Sequence, residues 1–268
     1  MSSYFLTGSS SGLGLAMATR LADLPSFKVS HIFATARTKS PALSKLCNQY
    51  PNRVLFISLD VTDDVSCEKA AAKVQMVVGD NGLDVVINNA AANPREDTYR
   101  MDDLEVTLNA NVIGVRNVTR ALIDLLKMGE EKKVVNMFVL QRDKLKEPWE
   151  LIVARSSAMG SMALSNVFSF APGAAYKVSK AALNMLTRQY ALAFSEDAIT
   201  FIAISPGYIK TKMGDEHDAD LLPETSADAV LRAAWKASTE DSGRFIDIEV
   251  EGFEINGRRK YSGDDLPF

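Results

Sequence analysis

Histidine, cysteine and excess positive charge are all scarce in this sequence of 268 residues, which has two histidines, two cysteines and a net charge of −4. Cys47 and Cys67 fit no C-x-x-C spacing, and His31 and His217 are far from them in sequence, so we predict no metal site. Two such thiols are typical of a reducing compartment. Without a basic field, neither nucleic acid nor an anionic membrane is expected as a partner.

Long apolar runs are also lacking, since none approaches the roughly 20 residues that span a bilayer. The first predicted strand begins at residue 4, which leaves no room for a signal peptide, so the expected location is the cytoplasm. Hydrophobic residues nevertheless make up 47% of the chain, enough for one large core. Chains of this length commonly fold as a single α/β domain.

Glycine is concentrated in residues 7–14, which read TGSSSGLG. An apolar run precedes them at 4–6 and a helix-forming stretch follows at 15–22, so the pattern predicts a strand, a glycine turn and a helix. Glycines there let the backbone approach a pyrophosphate, while the helix start offers unpaired N–H groups and a positive dipole end. A phosphate-rich cofactor is the predicted ligand, and a plain glycine turn is the alternative.

The spacing Thr-Gly-x-x-x-Gly-x-Gly resembles that of the classical short-chain dehydrogenase/reductase family. Further similarities follow in order: Asn-Asn-Ala-Ala at 88–91, where the family has Asn-Asn-Ala-Gly, Tyr-x-x-x-Lys at 176–180 and Pro-Gly-x-x-x-Thr at 206–211. The resemblance implies one NADP-binding domain over residues 1–268. Its expected fold is α/β, a single-domain, doubly wound Rossmann fold with a mostly or wholly parallel seven-stranded sheet.

Apolar patterning predicts the elements of that fold. The predicted strands are 4–6, 28–35, 54–59, 83–87, 132–137, 199–204 and 243–248. The predicted helices are 15–22, 65–78, 101–128, 175–194 and a last one to about 238 capped by Thr225 and Ser226.

The end of the second strand indicates which dinucleotide binds. At this place an acid holds a ribose 2′-hydroxyl, whereas an arginine accommodates a 2′-phosphate. Arg37 stands there without an acid, which favours NADP(H), although a solvated charge is the alternative. The resemblance places Asp60 and Val61 against the adenine, and Asp60 could also cap the next helix. The residues predicted to bind NADP(H), from the loop or from the resemblance, are Thr7, Gly8, Ser10, Ser11, Gly12, Leu13, Gly14, Arg37, Asp60, Val61, Asn88, Ala90, Tyr176, Lys180, Pro206, Gly207, Ile209 and Thr211.

Tyr176 and Lys180 are four residues apart, which places both side chains on one face of the helix predicted over 175–194. A phenol ionises only near a pH of about 10, but an adjacent ammonium and an oxidised nicotinamide favour the phenolate, so Tyr176 can exchange a proton with a substrate. The same spacing recurs at Tyr208 and Lys212, after a Pro-Gly pair that does not begin a regular helix. Tyr176 is preferred because Tyr-x-x-Ser-Lys-Ala-Ala resembles the family signature.

The resemblance implies two further catalytic residues. Ser157 lies just before Gly160 as the family's serine does, and its hydroxyl would orient the substrate carbonyl; Ser156 and Ser161 are alternatives. Asn111, in Asn-Val-Ile-Gly, matches the family asparagine whose helix distortion holds a water in the proton relay. Asparagine is unfavourable within a helix, which agrees with a special role.

Two segments depart from the pattern. In the family the fifth strand leads directly into the serine pair, but here the charged residues 138–155 intervene. Two interpretations stay open: an insertion that forms a surface lobe beside the site, or a short intron translated in frame. Further on, the polar stretch at about 213–224 is expected to be a substrate lid.

The predicted function is NADPH-dependent reduction of a ketone or aldehyde, or the reverse oxidation of an alcohol. Methionines and aromatics flank the site, and Met-Gly-Asp at 213–215 is weakly similar to fungal polyketide ketoreductases of the norsolorinic acid type, so an aromatic or polyketide-like secondary metabolite is one expected substrate. The alternative is a non-catalytic NADP(H)-binding regulatory or assembly protein disabled by residues 138–155. The expected partners are a small carbonyl or alcohol and further copies of the chain, since the resemblance implies a homodimer or homotetramer through the two long helices.

Overall fold

Seven parallel strands form the central sheet of the computed structural model, which describes residues 1–94, 98–138, 159–167, 169, 171–212, 219–255 and 258–268. The strands are β1 Ser2–Leu6, β2 Val29–Ala36, β3 Val54–Ser58, β4 Val85–Asn88, β5 Lys133–Met137, β6 Thr200–Ser205 and β7 Phe245–Asp247.

The strand order is β3-β2-β1-β4-β5-β6-β7. From β1 the chain first adds strands towards one edge of the sheet and then, from β4, towards the other edge, so the switch point lies between β1 and β4. Leu6 at the end of β1 pairs with Ala34 of β2 on one side and with Ile87 of β4 on the other. In an open parallel sheet, ligands bind outside the carboxyl ends of the strands at such a switch point. The doubly wound Rossmann fold predicted from the sequence is confirmed, and its sheet is wholly parallel.

Helices cover both faces of the sheet. In β1, Tyr4 and Leu6 contribute to one buried apolar cluster and Phe5 contributes to the other, as alternate side chains of a strand must point to opposite faces. The helices are α1 Gly12–Asp23, α2 Pro41–Gln49, α3 Asp64–Val78, α4 Leu104–Leu108, α5 Gly114–Met128, α6 Ala174–Ala193 and α7 Pro223–Lys236. Within the described residues, we find no helix that is long and apolar enough to cross a membrane.

Two helices of the structure differ from their predictions, one in its continuity and one in its first residue. The helix predicted over 101–128 consists of α4, a π-helical turn at Asn109–Ile113 and α5. The helix predicted to start at a Thr225–Ser226 cap starts earlier, with Leu222 as N-cap and Pro223 in its first turn, so that cap prediction is wrong. The Ser226 hydroxyl instead donates to the carbonyl of Pro206, 2.6 Å away.

Elements that the sequence analysis did not predict include α2, which is capped by the Ser40 hydroxyl, and a short hairpin in the tail. The hairpin pairs β8 Glu254–Ile255 with β9 Arg258–Arg259 in antiparallel fashion. The atypical segment 138–155 is described only at Phe138, whose N–H donates to the Ile204 carbonyl and extends the pairing of β5 with β6 by one residue. Of the predicted lid, residues 213–218 lie outside the described residues and 223–224 belong to α7.

Candidate active site

Two glycines hold the loop after β1 close to its neighbours. Gly8 has φ +71°, and a Cβ on it would lie 3.0 Å from the Ala90 Cα. A Cβ on Gly14, the third residue of α1, would lie 2.3 Å from the Gly8 carbonyl oxygen, closer than real Cβ atoms approach. The loop therefore folds back on the start of α1 as a cradle without side chains, the shape that admits a phosphate.

Hydrogen bonds between β1 and β4 fix this cradle. The Thr7 hydroxyl accepts the N–H groups of Asn89 and Ala90, both at 2.9 Å. The Asn89 amide donates to the carbonyls of Thr7 and Gly8 at 3.0 and 3.2 Å. Asn88 donates to the Asn136 side chain at 2.9 Å and so joins β4 to β5. Asn89 lies within the Asn-Asn-Ala-Ala turn but was not among the residues predicted to bind the cofactor.

At the outer end of the cradle, Arg37 and Asp60 follow β2 and β3. Hydrogen bonds from Thr62, and then the charge of Arg37, hold the pKa of the Asp60 carboxyl below its ordinary value. The two side chains therefore influence each other where an adenosine ribose is expected. The cap of α3 is Asp63, whose carboxylate accepts the N–H of Val65 at 3.0 Å, so Asp60 is not the capping residue.

The remaining predicted residues on this side have distinct places. Ser11 is the extended N-cap residue of α1, and the Ser10 carbonyl accepts the Ser40 hydroxyl at 2.6 Å. Leu13 is buried in the core. The carbonyl of Val61 accepts the Asn117 amide at 3.1 Å.

The Tyr176 and Lys180 side chains are both buried on α6, with residue exposures of 1% and 2%. The Lys180 ammonium donates to the carbonyl of Met137 at 2.8 Å and lies 5.1 Å from the ring centre of Phe138 and 5.4 Å from that of Tyr176. Burial lowers the pKa of Lys180 to about 7. A phenol and an amine thus meet at the carboxyl end of β5.

Asn111 lies in the π-helical turn, so the predicted helix distortion is present at this residue. Its amide donates to the Ala92 carbonyl and to the Ser179 hydroxyl, both at 2.9 Å, and its oxygen accepts the Ala92 N–H at 2.7 Å. Ser179 in turn donates to the carbonyl of Tyr176 at 2.7 Å. Asn111 therefore links the turn after β4 to the helix that carries Tyr176, while its role in a water relay stays a prediction.

The turn after β6 forms the opposite wall of the cleft. A Cβ on Gly12 would lie 3.2 Å from the Thr211 methyl group, so this segment reaches the glycine cradle. Ile209 is fully buried and bridges to Leu221. The Pro206 carbonyl is held by Ser226, as described above, and Gly207 has φ +81°. The four predicted nicotinamide-side residues thus share one segment beside the cradle.

Ser157 lies outside the described residues, as does Ser156. The chain is described again from Met159, which is buried in the same apolar cluster as Tyr176. The carbonyl of Gly160 accepts the Asn184 amide at 3.2 Å, so α6 also holds the segment that follows the predicted serine. Among the described residues, no group of three or more His, Cys, Asp or Glu could hold a metal ion.

A buried carboxyl near this turn was not predicted. Asp247 at the end of β7 accepts the Ser205 hydroxyl at 3.1 Å and the Ile248 N–H at 3.0 Å. Burial raises the pKa of Asp247 to about 7. Its position 42 residues from Ser205 explains why local patterning gave no indication of the contact.

A glycine cradle at the switch point of a doubly wound parallel sheet defines the class as Rossmann-type dinucleotide-binding proteins. Sequence comparison then gives the family, because the profile described as short chain dehydrogenase matches residues 3–222. This chain belongs to that family of oxidoreductases.

Relatives and solved structures agree with the assignment. The short-chain dehydrogenase/reductase AacuF of Aspergillus aculeatus is 31% identical over 78% of this chain and 74% of its own. The norsolorinic acid ketoreductase of Aspergillus parasiticus is 27% identical over 94% and 90%. The NADPH-bound carbonyl reductase from chicken fatty liver has a TM-score of 0.77 at 27% identity, covering 91% of this chain and 95% of its own. Carbonyl reductase Sniffer of D. melanogaster has a TM-score of 0.81 at 25% identity, with both chains fully covered.

Proposed function

We propose that this chain is an NADPH-dependent reductase that converts a ketone or aldehyde to an alcohol, and that the same groups serve the reverse oxidation. The observation that carries the proposal is the buried pair of Tyr176 and Lys180, held on one face of α6 beside the cleft that the glycine cradle lines. Its similarity to carbonyl reductases and to a ketoreductase supports a carbonyl substrate.

The residues present fit NADP(H). Gly8 and Gly14 let the loop pack closely against Ala90 and the start of α1, and the N-terminus of α1 offers N–H groups for the pyrophosphate. Arg37, whose charge acts on the Asp60 carboxyl at the adenosine end, is an exposed guanidinium suited to a 2′-phosphate. The segment 206–211 would hold the nicotinamide carboxamide. When bound, the cofactor supplies a hydride to the carbonyl carbon.

The chain's own residues supply the proton. Tyr176 donates its phenolic proton to the carbonyl oxygen as the alkoxide forms. The Lys180 ammonium, 5.4 Å from the Tyr176 ring centre, stabilises the phenolate that remains. In the proposal Ser157 polarises the carbonyl oxygen. Asn111 serves the proton relay and holds the turn after β4 against α6 through its bonds to Ala92 and Ser179.

We propose an aromatic or polyketide-like metabolite as the substrate class. Met159 and Phe138 pack in the same apolar cluster as Tyr176, so the reacting end of the cleft favours an apolar ring. The two cysteines of the chain are free thiols, which agrees with the proposed cytoplasmic location.

A homodimer or homotetramer is also part of the proposal. Val178, Met185 and Leu192 recur every seven residues on α6 and are 44%, 58% and 57% exposed, which leaves an apolar stripe along one helix face. Val106 and Ile113 extend the apolar exposure to the preceding helices. Sedimentation of the purified chain reports whether copies associate.

The test of the function is NADPH oxidation with a panel of quinones and aryl ketones, comparing wild type with Tyr176→Phe. Because this change removes only the proton donor, we expect kcat/KM to fall by about 10²- to 10⁴-fold. Tyr190→Phe is the matched control, since Tyr190 lies on the same helix and stacks on Phe201 with ring centres 5.3 Å apart. Turnover that survives in Tyr176→Phe would refute the assignment of the acid, and NADPH binding without turnover in wild type would favour the non-catalytic alternative.

Cofactor choice is tested with Arg37→Ala. Loss of the guanidinium should weaken NADPH binding by about 10-fold, as expected for one charge-assisted contact, and leave NADH binding within about two-fold. Fluorescence titration of both cofactors measures the two affinities. Equal effects on NADPH and NADH would show that Arg37 does not select the 2′-phosphate.

A further inference from the structure

A partly buried ion pair lies behind the turn that follows β6. The carboxylate of Asp220 accepts hydrogen bonds from the Lys260 ammonium and from the Tyr261 hydroxyl, the latter at 2.6 Å. The Lys260 side chain is only 7% exposed and that of Asp220 is 23% exposed. The ammonium also lies 5.7 Å from the Tyr261 ring centre. Partly desolvated charges with good partners hold a more fixed geometry than surface pairs do.

The same tyrosine contacts the turn itself. Its hydroxyl accepts the N–H of Tyr208 at 3.3 Å. The Tyr261 ring lies 3.0 Å from where a Cβ of Gly207 would be, so the ring packs directly on this glycine. Tyr208 also pairs with Leu221, the residue after Asp220, through an N–H···O bond of 3.0 Å. Tyr261 thus contacts the turn directly, and Asp220 is joined to it through its neighbour Leu221.

The partners of Asp220 come from a part of the chain that the family profile does not reach, since the match ends at residue 222. The Lys260 N–H donates to the Phe253 carbonyl at 2.8 Å, and the Val250 N–H donates to the Tyr261 carbonyl at 3.2 Å. These bonds belong to the tail hairpin of β8 and β9. The hairpin therefore places a phenol against the turn and an ammonium against Asp220.

We propose that Asp220, Lys260 and Tyr261 are positioning residues for the nicotinamide end of the cofactor, acting through the Pro206–Gly207–Tyr208 turn. The inference rests on the proposed function, which places the nicotinamide at segment 206–211. The cluster touches the turn from the side that carries Gly207 and Leu221, so its effect on the cofactor is transmitted through backbone position.

The test compares two ligands with Tyr261→Phe. NADPH spans the whole cleft, whereas 2′,5′-ADP contains only the adenosine half and does not reach the turn. We expect the Kd for NADPH to rise about 3- to 10-fold, because the change removes the hydroxyl that donates to Asp220 and accepts the Tyr208 N–H. The Kd for 2′,5′-ADP should stay within about two-fold. Tyr50→Phe is the matched control because the Tyr50 hydroxyl donates to Asp23 at 2.7 Å, also a tyrosine–aspartate bond, on the exposed surface.

A second variant keeps the test valid if single changes perturb folding. Asp220→Asn combined with Lys260→Met removes both charges together, so no unpaired buried charge remains. The same selective loss of NADPH affinity is expected. Equal weakening of both ligands, or unchanged affinity for NADPH, would overturn the positioning role. Those results would leave the proposed function standing, because that depends on the separate turnover test with Tyr176→Phe.

Discussion

The two walls of the cleft are built from different chemistry. The glycine wall consists of residues 7–14, Asn89 and Ala90. The ionic wall consists of Lys180, residues 205–208, Asp220, Asp247 and Lys260. The glycine wall is held by close backbone approach and neutral hydrogen bonds. The ionic wall is held by buried titratable groups, two of which have strongly displaced pKa values.

The difference follows from what each wall does in the proposed reaction. Phosphates need space and N–H groups, which backbone supplies without any charge that titrates. The reacting end needs an ammonium beside the proton donor and a turn held in place. Buried titratable groups serve both needs and make this wall sensitive to pH. We therefore expect added side-chain atoms in the glycine wall to abolish cofactor binding. We expect the stability of the ionic wall to depend on pH.

Gly14→Ala is the strongest way to break the glycine wall. Its methyl group would lie 2.3 Å from the Gly8 carbonyl and 2.6 Å from the Asn89 amide nitrogen, and backbone at that contact has little room to move. We expect no NADPH binding at millimolar concentration, and a loss of about 3 kcal/mol in the free energy of unfolding from overpacking. Fluorescence titration and urea denaturation measure the two effects.

The control for this prediction is Gly79→Ala. Gly79 has φ +56°, but a Cβ there meets nothing within 4 Å, so the change introduces backbone strain away from the cleft without a clash. Because the Gly79 backbone, with ψ −134°, lies outside the left-handed helical region, we expect a cost of about 1 to 3 kcal/mol in stability and unchanged NADPH affinity. If Gly14→Ala bound NADPH as Gly79→Ala does, the glycine wall would not be the phosphate site.

The two walls also differ in how far the sequence predicts them. The strand, turn and helix around residues 7–14 follow one another directly, so local pattern predicts this part of the glycine wall, and the family resemblance implied the Rossmann fold that the structure confirms. In the ionic wall, Asp220 and Lys260 are separated by 40 residues, and Asp247 contacts Ser205 across 42. Contacts of that kind depend on tertiary packing, which residue periodicity does not report.

The prediction for Ser226 shows the same limit. Threonine and serine before an apolar stretch are typical of an N-cap, and Pro223 two residues earlier supplied an equally local signal for an earlier start. The structure uses Ser226 instead to bind the Pro206 carbonyl from within α7. Similarly, the asparagine at 111 indicated a special site within a helix, but its bonds to Ala92 and Ser179 could not be predicted without the tertiary structure.

Lys180→Met sharpens the comparison by removing the buried amine of the ionic wall. The folded pKa of Lys180, about 7, lies below the ordinary 10.5, so the unfolded chain binds more protons between these values and wild-type stability rises with pH across that window. Below about pH 7 the folded chain must bury an ammonium. We expect Lys180→Met to be favoured over wild type by up to about 3 kcal/mol at pH 6.5, with the advantage shrinking towards pH 9.5.

Urea denaturation of the protein without cofactor, across this pH range, measures the difference. Lys177→Met is the control, since Lys177 is on the same helix but is only half-buried, and burial lowers its pKa as well. A smaller slope in the same direction is expected for this control. A stability difference between wild type and Lys180→Met that did not vary with pH would mean that the buried amine does not titrate as described.

Asp247→Asn should give the smallest change in stability. Its advantage over wild type should grow as pH rises, whereas that of Lys180→Met shrinks. The folded pKa of Asp247, about 7, lies above the ordinary 3.8, so its stabilising contribution is complete below that value and is lost as pH rises through about 7. Asparagine can still accept the Ser205 hydroxyl and the Ile248 N–H, which Asp247 accepts at 3.1 and 3.0 Å. We expect the two proteins to be equally stable at pH 4 and the variant to be favoured by about 2 kcal/mol at pH 8. A variant less stable than wild type at pH 8 would mean that the carboxylate form is the one that the ionic wall stabilises.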